Sequence, residues 1–295
     1  MLEFKKLTLD SKSVFEKYTK FKYEASETSF ANIFIWKDFF DVKYLELEDF
    51  LVVLYTDTKG KINVYMPYGE GNLKKCIDTL NEYFNIIGQE FKIISANEEM
   101  KEELQKLYPF ITVKENRDFS DYVYTSEALI NLSGKKLHSK RNHLNTFKNT
   151  YEYEYRKMTS DDFDECLALA KKLMLKNREE DSLSFKAEYR SLENMFNNFY
   201  ALDVKGAVIV INRKIAAFSI GEKLNENCAL IHIEKADTAY NGIYAAINNE
   251  FVKNEWCEFE YINREEDMGA EGLRKAKLSY RPHHMVKKYI CEFFS

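Results

Sequence analysis

Two ionisable side chains, two residues apart, are the first chemistry this sequence offers. Read as a strand, Ala229 to Glu234 alternates: Leu230, His232 and Glu234 fall on one face and Ala229, Ile231 and Ile233 on the other. An imidazole and a carboxylate so placed could move protons, and an attacking ammonium must lose one because it has no lone pair for a carbonyl. The plainer reading is a sheet glutamate paired with a lysine, and the strand alone does not separate the two.

A second concentration of chemistry runs from Asn263 to Tyr280, NREEDMGAEGLRKAKLSY. Glu265 and Asp267 could bind an amine; Arg274, Lys275 and Lys277 could neutralise a phosphate; Tyr280 could donate a proton to a leaving oxygen. Acids before a helix and bases within it also complement the macrodipole, so helix stability explains the same order. Gly269 and Gly272 stand at the strand-to-helix junction of a chain with only 10 glycines, as if the backbone must approach something closely there. Asn248, in the preceding helical stretch, completes the candidate substrate-binding set.

Between Glu127 and Glu152 there is no acid, while Lys135, Lys136, Lys140, Arg141 and Lys148 all occur, although the whole chain carries a formal charge of -5. As a helix, this window sets Leu137, Leu144, Phe147 and Tyr151 on one stripe. Arg141 shares that side and is expected to need an anionic partner. Lys136, Lys140 and Arg141 are expected to face one cleft with the terminal helix. The alternative is a solvated connector whose lysines serve solubility.

These segments need scaffolds to hold them. A chain of 295 residues is long enough for two cores. With 45% hydrophobic residues, 31% charged residues of both signs and only 3 prolines, it reads as folded, not disordered. The start has no apolar signal-peptide core and the longest apolar run, Phe50 to Tyr55, is short, so a cytoplasmic protein without a membrane span is expected. Five widely spaced cysteines without a C-x-x-C pair suggest reduced, packed thiols. His138 and His143 lie about 140° apart on a helix, poor geometry for one metal ion.

The first half reads as a strand at Leu2 to Leu7, a helix opening on Ser13 and Glu16 at capping-box spacing, and an aromatic-rich helix through Phe30 to Phe40. A meander follows at Val42 to Leu47, Phe50 to Tyr55 and Lys61 to Met66. Next come a helix after Asn72, a strand at Phe91 to Ser95, a helix to Leu107 and a strand at Tyr122 to Tyr124. The second half repeats the series: a strand at Glu152 to Met158, helices at Asp161 to Lys176 and Phe185 to Phe199, then three strands, Lys205 to Ile211, Ile215 to Glu222 and Cys228 to Asp237. A helix at Gly242 to Trp256, a strand at Phe259 to Asn263, a helix at Ala270 to Ser279 and a last strand at Val286 to Phe293 complete it. Both halves read β-α-α-β-β-β-α-β-α-β, which implies an internal duplication.

That order resembles the GCN5-related N-acetyltransferase fold, taken twice. LSGKKLHSKRNHLNTF, HIEKADTAYNGIYAAINNEF and INREEDMGAEGLRKAKLSYRP together look like the soluble C-terminal domain of the bacterial phosphatidylglycerol lysyltransferases. The resemblance implies an α+β protein of two tandem GNAT-like domains, each a mixed, mostly antiparallel sheet flanked by helices. The expected boundaries are 1–128, a basic connecting helix at 129–151, and 152–295. It makes Glu234 the residue that would take the acceptor's proton, and it implies aminoacyl transfer from aminoacyl-tRNA to a lipid, peptide or small-molecule acceptor. Coenzyme A enzymes of this fold carry a glycine-rich loop where this chain has Asp237-Thr238-Ala239-Tyr240-Asn241-Gly242, a poor pyrophosphate cradle, so acyl-CoA is the second donor candidate. A non-catalytic tandem-GNAT ligand-binding protein is the further alternative, and a partner-scaffolding role would require the Phe30 to Phe40 segment to be exposed.

Overall fold

The computed structural model describes residues 2–20, 22–176 and 179–293. Backbone contacts divide the chain into two compact units, Met1–Ser120 with Val286–Ser295, and Asp121–Met285.

In the first unit, β1 (Lys5–Lys6) precedes α1 (Lys12–Thr19) and α2 (Phe30–Trp36). Reciprocal capping at the start uses Thr8 and Ser11 ahead of α1, not the expected Ser13 and Glu16. Ser29 caps α2 by accepting from the Asn32 N–H, and Phe30, Ile33 and Phe34 are buried. Burial of these rings removes the scaffolding role that their exposure would have supported. The meander forms as β2 (Lys43–Leu47), β3 (Phe50–Thr56) and β4 (Ile62–Tyr65), all antiparallel. Glu48 and Asp49 both take positive φ, which a two-residue hairpin requires.

After β5 (Tyr68–Gly69) comes α3 (Leu73–Ile86), capped by Asn72, with Leu73, Ile77, Leu80 and Phe84 buried on one stripe. A Cβ at Gly71 would lie 1.8 Å from the Glu48 carbonyl oxygen, so this glycine serves packing on the hairpin. Then follow β6 (Lys92–Ala96), α4 (Glu98–Leu107) and β7 (Thr112–Glu115).

The second unit opens with β8 (Asp121–Thr125) and α5 (Ser126–Asn131), then α6 (His138–Thr150). It continues through β9 (Glu154–Lys157), α7 (Phe163–Leu175) and α8 (Leu183–Asn197). The second meander is β10 (Lys205–Ile211), β11 (Lys214–Lys223) and β12 (Cys228–Ala236), followed by α9 (Ile243–Glu255). Next are β13 (Tyr261–Asn263), α10 (Glu271–Leu278) and β14 (His284–Val286), and the chain returns to the first unit as β15 (Tyr289–Glu292).

One sheet runs β1-β2-β3-β4-β6-β15-β7, with β5 paired to β3; the other, read in the same sense, runs β9-β10-β11-β12-β13-β8-β14. The two orders match position for position, and each contains a parallel pair at the same place, β4 with β6 and β12 with β13. The α+β class and the duplication are as expected from the sequence. The boundaries are not those of the sequence: the sixth position of each sheet is filled from the far side of the chain. The single strand expected at Val286 to Phe293 is therefore two strands, one in each sheet, and β7 and α5 were not anticipated.

The apolar stripe of the basic segment, Leu137, Leu144 and Phe147, is buried with Ile243, Ala246, Ile247 and Phe251 of α9. This helix was expected to be a connector between the two domains; here it builds the second unit's own core. Each such side chain contributes roughly 2 kcal/mol of transfer free energy. Four cysteines are buried and Cys257 is exposed.

Candidate active site

In the second sheet, β12 pairs with β13 only from Cys228 to Leu230, opposite Tyr261 to Asn263, and β12 then runs on to Ala236 beside β11 alone. The two strands diverge like a fork. β12 also bulges: Ile233 faces Ile220 and Ile231 faces Gly221, leaving His232 as the extra residue. A Cβ on Gly221 would lie 2.5 Å from the Leu230 carbonyl oxygen, so a glycine lets the strands close at this point. Ala229 and Ile231 before the bulge, and Ala236 after it, join one core with α9. The alternation thus changes parity, and His232 and Glu234 do not share the face expected of them.

Glu234 sits in the fork with partners on both oxygens. Arg264, the first residue after β13, approaches with Nη2 at 3.1 and 3.2 Å, and Asn248 Nδ2 on α9 donates at 3.0 Å. The two charged side chains are only 13% and 11% exposed, so their attraction is little screened. The Arg264 guanidinium lies 4.9 Å from the Tyr280 ring centre and 5.6 Å from that of Tyr124. Burial pushes the Tyr280 hydroxyl up to about 12, partly offset by Arg264. Lys140 of α6 rests its ammonium 4.4 Å from the Tyr280 ring centre, with no hydrogen bond or ion pair among the described residues. Burial, reinforced by Arg264, lowers its pKa, and Glu234 opposes that shift.

Two buried polar atoms in this cluster, Arg264 Nη1 and Asn248 Oδ1, have no hydrogen-bond partner among the described residues. Arg264 was not singled out from the sequence. The available signal was an arginine leaving a strand whose neighbour carries a glutamate.

His232 is held between two carboxylates, Nε2 to Glu222 at 2.9 Å and Nδ1 to Glu265 at 2.9 Å, with its side chain 1% exposed. Burial alone would disfavour the cation, but the hydrogen bonds and charges of Glu222 and Glu265 outweigh it and raise the pKa to about 9. An imidazolium with both nitrogens engaged has no lone pair to offer as a base. His232 instead fastens Glu265, and with it the backbone that carries Arg264.

The terminal segment is also occupied structurally. Asp267 is fully buried and accepts from Arg274 Nε at 2.9 Å and Nη2 at 2.8 Å, the Tyr122 hydroxyl at 2.5 Å and the Gly269 N–H. Burial opposes ionisation, yet these donors hold the carboxyl well below its ordinary value. Lys277 donates to the carbonyls of Arg264, Glu265 and Glu266 at 2.6, 3.0 and 2.5 Å, and burial lowers its pKa. Asp267, Arg274 and Lys277 thus shape the loop that follows β13 and do not present open contacts to an amine or a phosphate. Lys275 is exposed, and a Cβ on Gly272 would meet nothing within 4 Å, so no close approach requires that glycine.

Of the basic segment, only Lys140 reaches the fork. Lys136 is exposed. Arg141 donates to the Leu132 carbonyl at 2.5 Å and the Gly134 carbonyl at 3.4 Å, so peptide dipoles at the end of α5 take the place of the expected anion. At the start of α9, a Cβ on Gly242 would lie 2.1 Å from the His143 carbonyl oxygen, and the Asn241 N–H donates to the Tyr151 hydroxyl. A shallow depression along α8, lined by Phe185 and Tyr189 among others, contains none of the candidate residues.

A family model described as phosphatidylglycerol lysyltransferase, C-terminal, matches residues 18–292. A solved conserved protein of unknown function from Bacteroides thetaiotaomicron VPI-5482 is 35% identical, with a TM-score of 0.93 and 100% of each chain covered. L-PGS from Bacillus licheniformis is 14% identical with a TM-score of 0.65, covering 96% of this chain and 91% of its own, a likeness of fold. An uncharacterised protein of Mycoplasmoides gallisepticum is 27% identical over 178 residues, 59% of this chain and 56% of that protein's length. The chain thus matches little more than half of that relative.

Proposed function

The chain belongs to the phosphatidylglycerol lysyltransferase C-terminal family, and from that premise we propose that it transfers an aminoacyl group from aminoacyl-tRNA to an amine or hydroxyl of a lipid, peptide or small-molecule acceptor. The observation that carries this reading is the fork between β12 and β13, where Arg264 and Lys140 pack against the Tyr280 ring in a largely desolvated place. Attack on an ester carbonyl develops negative charge on its oxygen, and fixed donors away from water stabilise that charge most. Tyr280 keeps its proton at neutral pH and can hand it to a leaving oxygen.

Glu234 has a different part from the one the resemblance gave it. With both oxygens engaged, it orients Arg264 and Asn248 and does not accept the acceptor's proton. Lys140 is the better-placed base, being held without a carboxylate partner where burial favours the neutral amine. The loop ahead of α9, Asp237 to Gly242, offers one glycine and an aspartate where coenzyme A's pyrophosphate would need a cradle, which argues against that donor. An aminoacyl-tRNA donor puts the reaction in the cytoplasm. Among the described residues no helix is long and apolar enough to cross a membrane.

The test supplies purified protein with labelled aminoacyl-tRNAs or labelled acetyl-CoA, together with lipid extract, short peptides and polyamines. Label leaving the tRNA for an acceptor is the expected result. Label transferred only from acetyl-CoA would overturn the choice of donor, and transfer from neither would leave a ligand-binding role.

A further inference from the structure

Three consecutive carbonyls converge on one atom. Those of Arg264, Glu265 and Glu266 lie 2.6, 3.0 and 2.5 Å from Lys277 Nζ. Successive peptides of an extended chain aim their oxygens to alternate sides, so gathering three of them takes a turn, and Glu265 supplies it with a left-handed φ of 56°. The negative ends of the peptide dipoles then face one another around a side chain that is 8% exposed. Without a cation at the centre that arrangement is unfavourable. An ammonium brings three N–H donors and no acceptor, one donor for each oxygen, whereas a neutral amine would turn a lone pair toward a carbonyl. Burial and Arg264 lower the lysine's pKa, while Glu265, Glu266 and Asp121 support the charged form. The Tyr122 ring centre, 5.7 Å from Nζ, adds a wall of suitable polarity. The grip reaches Arg264 by a second route as well: the Lys277 carbonyl accepts from the Tyr124 hydroxyl at 2.8 Å, and the Tyr124 ring centre lies 5.6 Å from the Arg264 guanidinium.

We propose that the carbonyls of Arg264, Glu265 and Glu266 form a binding site for a small primary ammonium, filled by the chain's own Lys277, and that Lys277 is thereby a positioning residue that acts through Arg264. The site stands on geometry alone, and its effect on transfer rests on the aminoacyl reading above. Charge and hydrogens both select the occupant. A phosphate would set its oxygens against carbonyl oxygens. A quaternary ammonium carries the charge but has no N–H to give, so it leaves all three carbonyls unmet. The α10 helix thus delivers a tethered cation to the loop that follows β13, and the loop's shape, with Arg264 at its start, depends on that cation.

The experiment truncates the stem in Lys277→Ala and offers the carbonyls a free ammonium in its place. Methylammonium and ethylammonium chloride are the probes, with tetramethylammonium and sodium chloride at equal ionic strength as controls. The variant's unfolding temperature should rise with either primary amine and then saturate, while the wild type, whose site is filled, shows no such rise. If Lys277→Ala does not fold unaided, the yield of folded protein on refolding in each salt gives the same reading. The Arg264 Nε–H signal in NMR should move in the variant and return toward its wild-type position with ethylammonium. Single-turnover transfer should fall about a hundredfold and regain about tenfold with the amine, the size expected of a displaced group near the chemistry. An equal response to all four salts, or no response to the primary amines, would overturn the site. Amine binding that leaves the Arg264 signal unmoved would overturn the positioning role. These outcomes are separable from that of the transfer assay. Amine rescue of stability and of the Arg264 signal in a protein that transfers nothing supports the site and removes the transferase, while transfer by Lys277→Ala at the wild-type rate, indifferent to amines, removes the positioning role and keeps the transferase.

Discussion

His232 should make the protein less stable as the pH rises through the alkaline range, and the structure sets the size of the effect. A pKa raised from 6.5 to about 9 corresponds to about 3 kcal/mol of preference for the protonated folded form. Because the folded value is the higher one, this stability is fully present below about pH 6.5 and is lost as the pH climbs through about 9. Across that window the folded state binds up to one more proton than the unfolded chain, giving a slope of at most about 1.4 kcal/mol per pH unit. Urea unfolding of the wild type and of His232→Gln at pH 6, 7.5, 8.5 and 9.5 measures this, since the glutamine does not titrate. The gap between the two proteins should shrink by about 3 kcal/mol from pH 6 to 9.5. Nitrogen-15 chemical shifts of the imidazole give a second reading and should show both nitrogens protonated at pH 7.5. A neutral tautomer there, or parallel pH profiles for the two proteins, would refute the assignment and return His232 to the list of candidate bases.

Other perturbations test the framework around the fork. Gly242→Ala places a Cβ against the His143 carbonyl at a φ of 87°, and should destabilise by about 3 kcal/mol or more in denaturant unfolding. Asp267→Asn breaks the pair with Arg274; because that guanidinium is 32% exposed and can rehydrate, the loss should be about 2 kcal/mol. The folded Asp267 carboxyl has the lower pKa, so its contribution is present above about pH 4 and fades as the pH falls below that, which acid titration of wild type and variant will show. Lys140→Ala should leave the unfolding midpoint within about 0.5 kcal/mol of wild type, having removed no ion pair, while abolishing transfer.

Much of the fold could be read from periodicity. The stripes of α3 and α6 and both meanders are local patterns, since a helix face or hairpin is written in neighbouring residues. The strand exchange could not be read that way. β8 and β15 have ordinary strand sequences, and nothing local says that each completes the sheet of the other half. The site was legible as a list of residue types and not as roles. Alternation put His232 beside Glu234, but the bulge, an effect of pairing across strands, separated them. Asp267, Arg274 and Lys277 have the chemistry of a ligand site, yet each is satisfied by the others' loop. Their composition cannot distinguish binding a substrate from binding the chain itself. Arg264 was overlooked because a single arginine after a short strand has no pattern; its importance comes from burial between Tyr124, Tyr280 and Glu234.

The central claim is that the acyl group reacts in the fork, against Arg264. Its most direct test is the single-turnover rate of aminoacyl transfer from charged tRNA by wild type and by Arg264→Lys, with unfolding midpoints measured alongside. Lysine keeps the charge but loses the fork of donors that holds Glu234 while leaving Nη1 free. The account predicts a rate at least about a hundredfold lower in the variant, the usual effect of removing one oxyanion donor, with the fold retained. A variant that is folded and transfers as fast as wild type would contradict it.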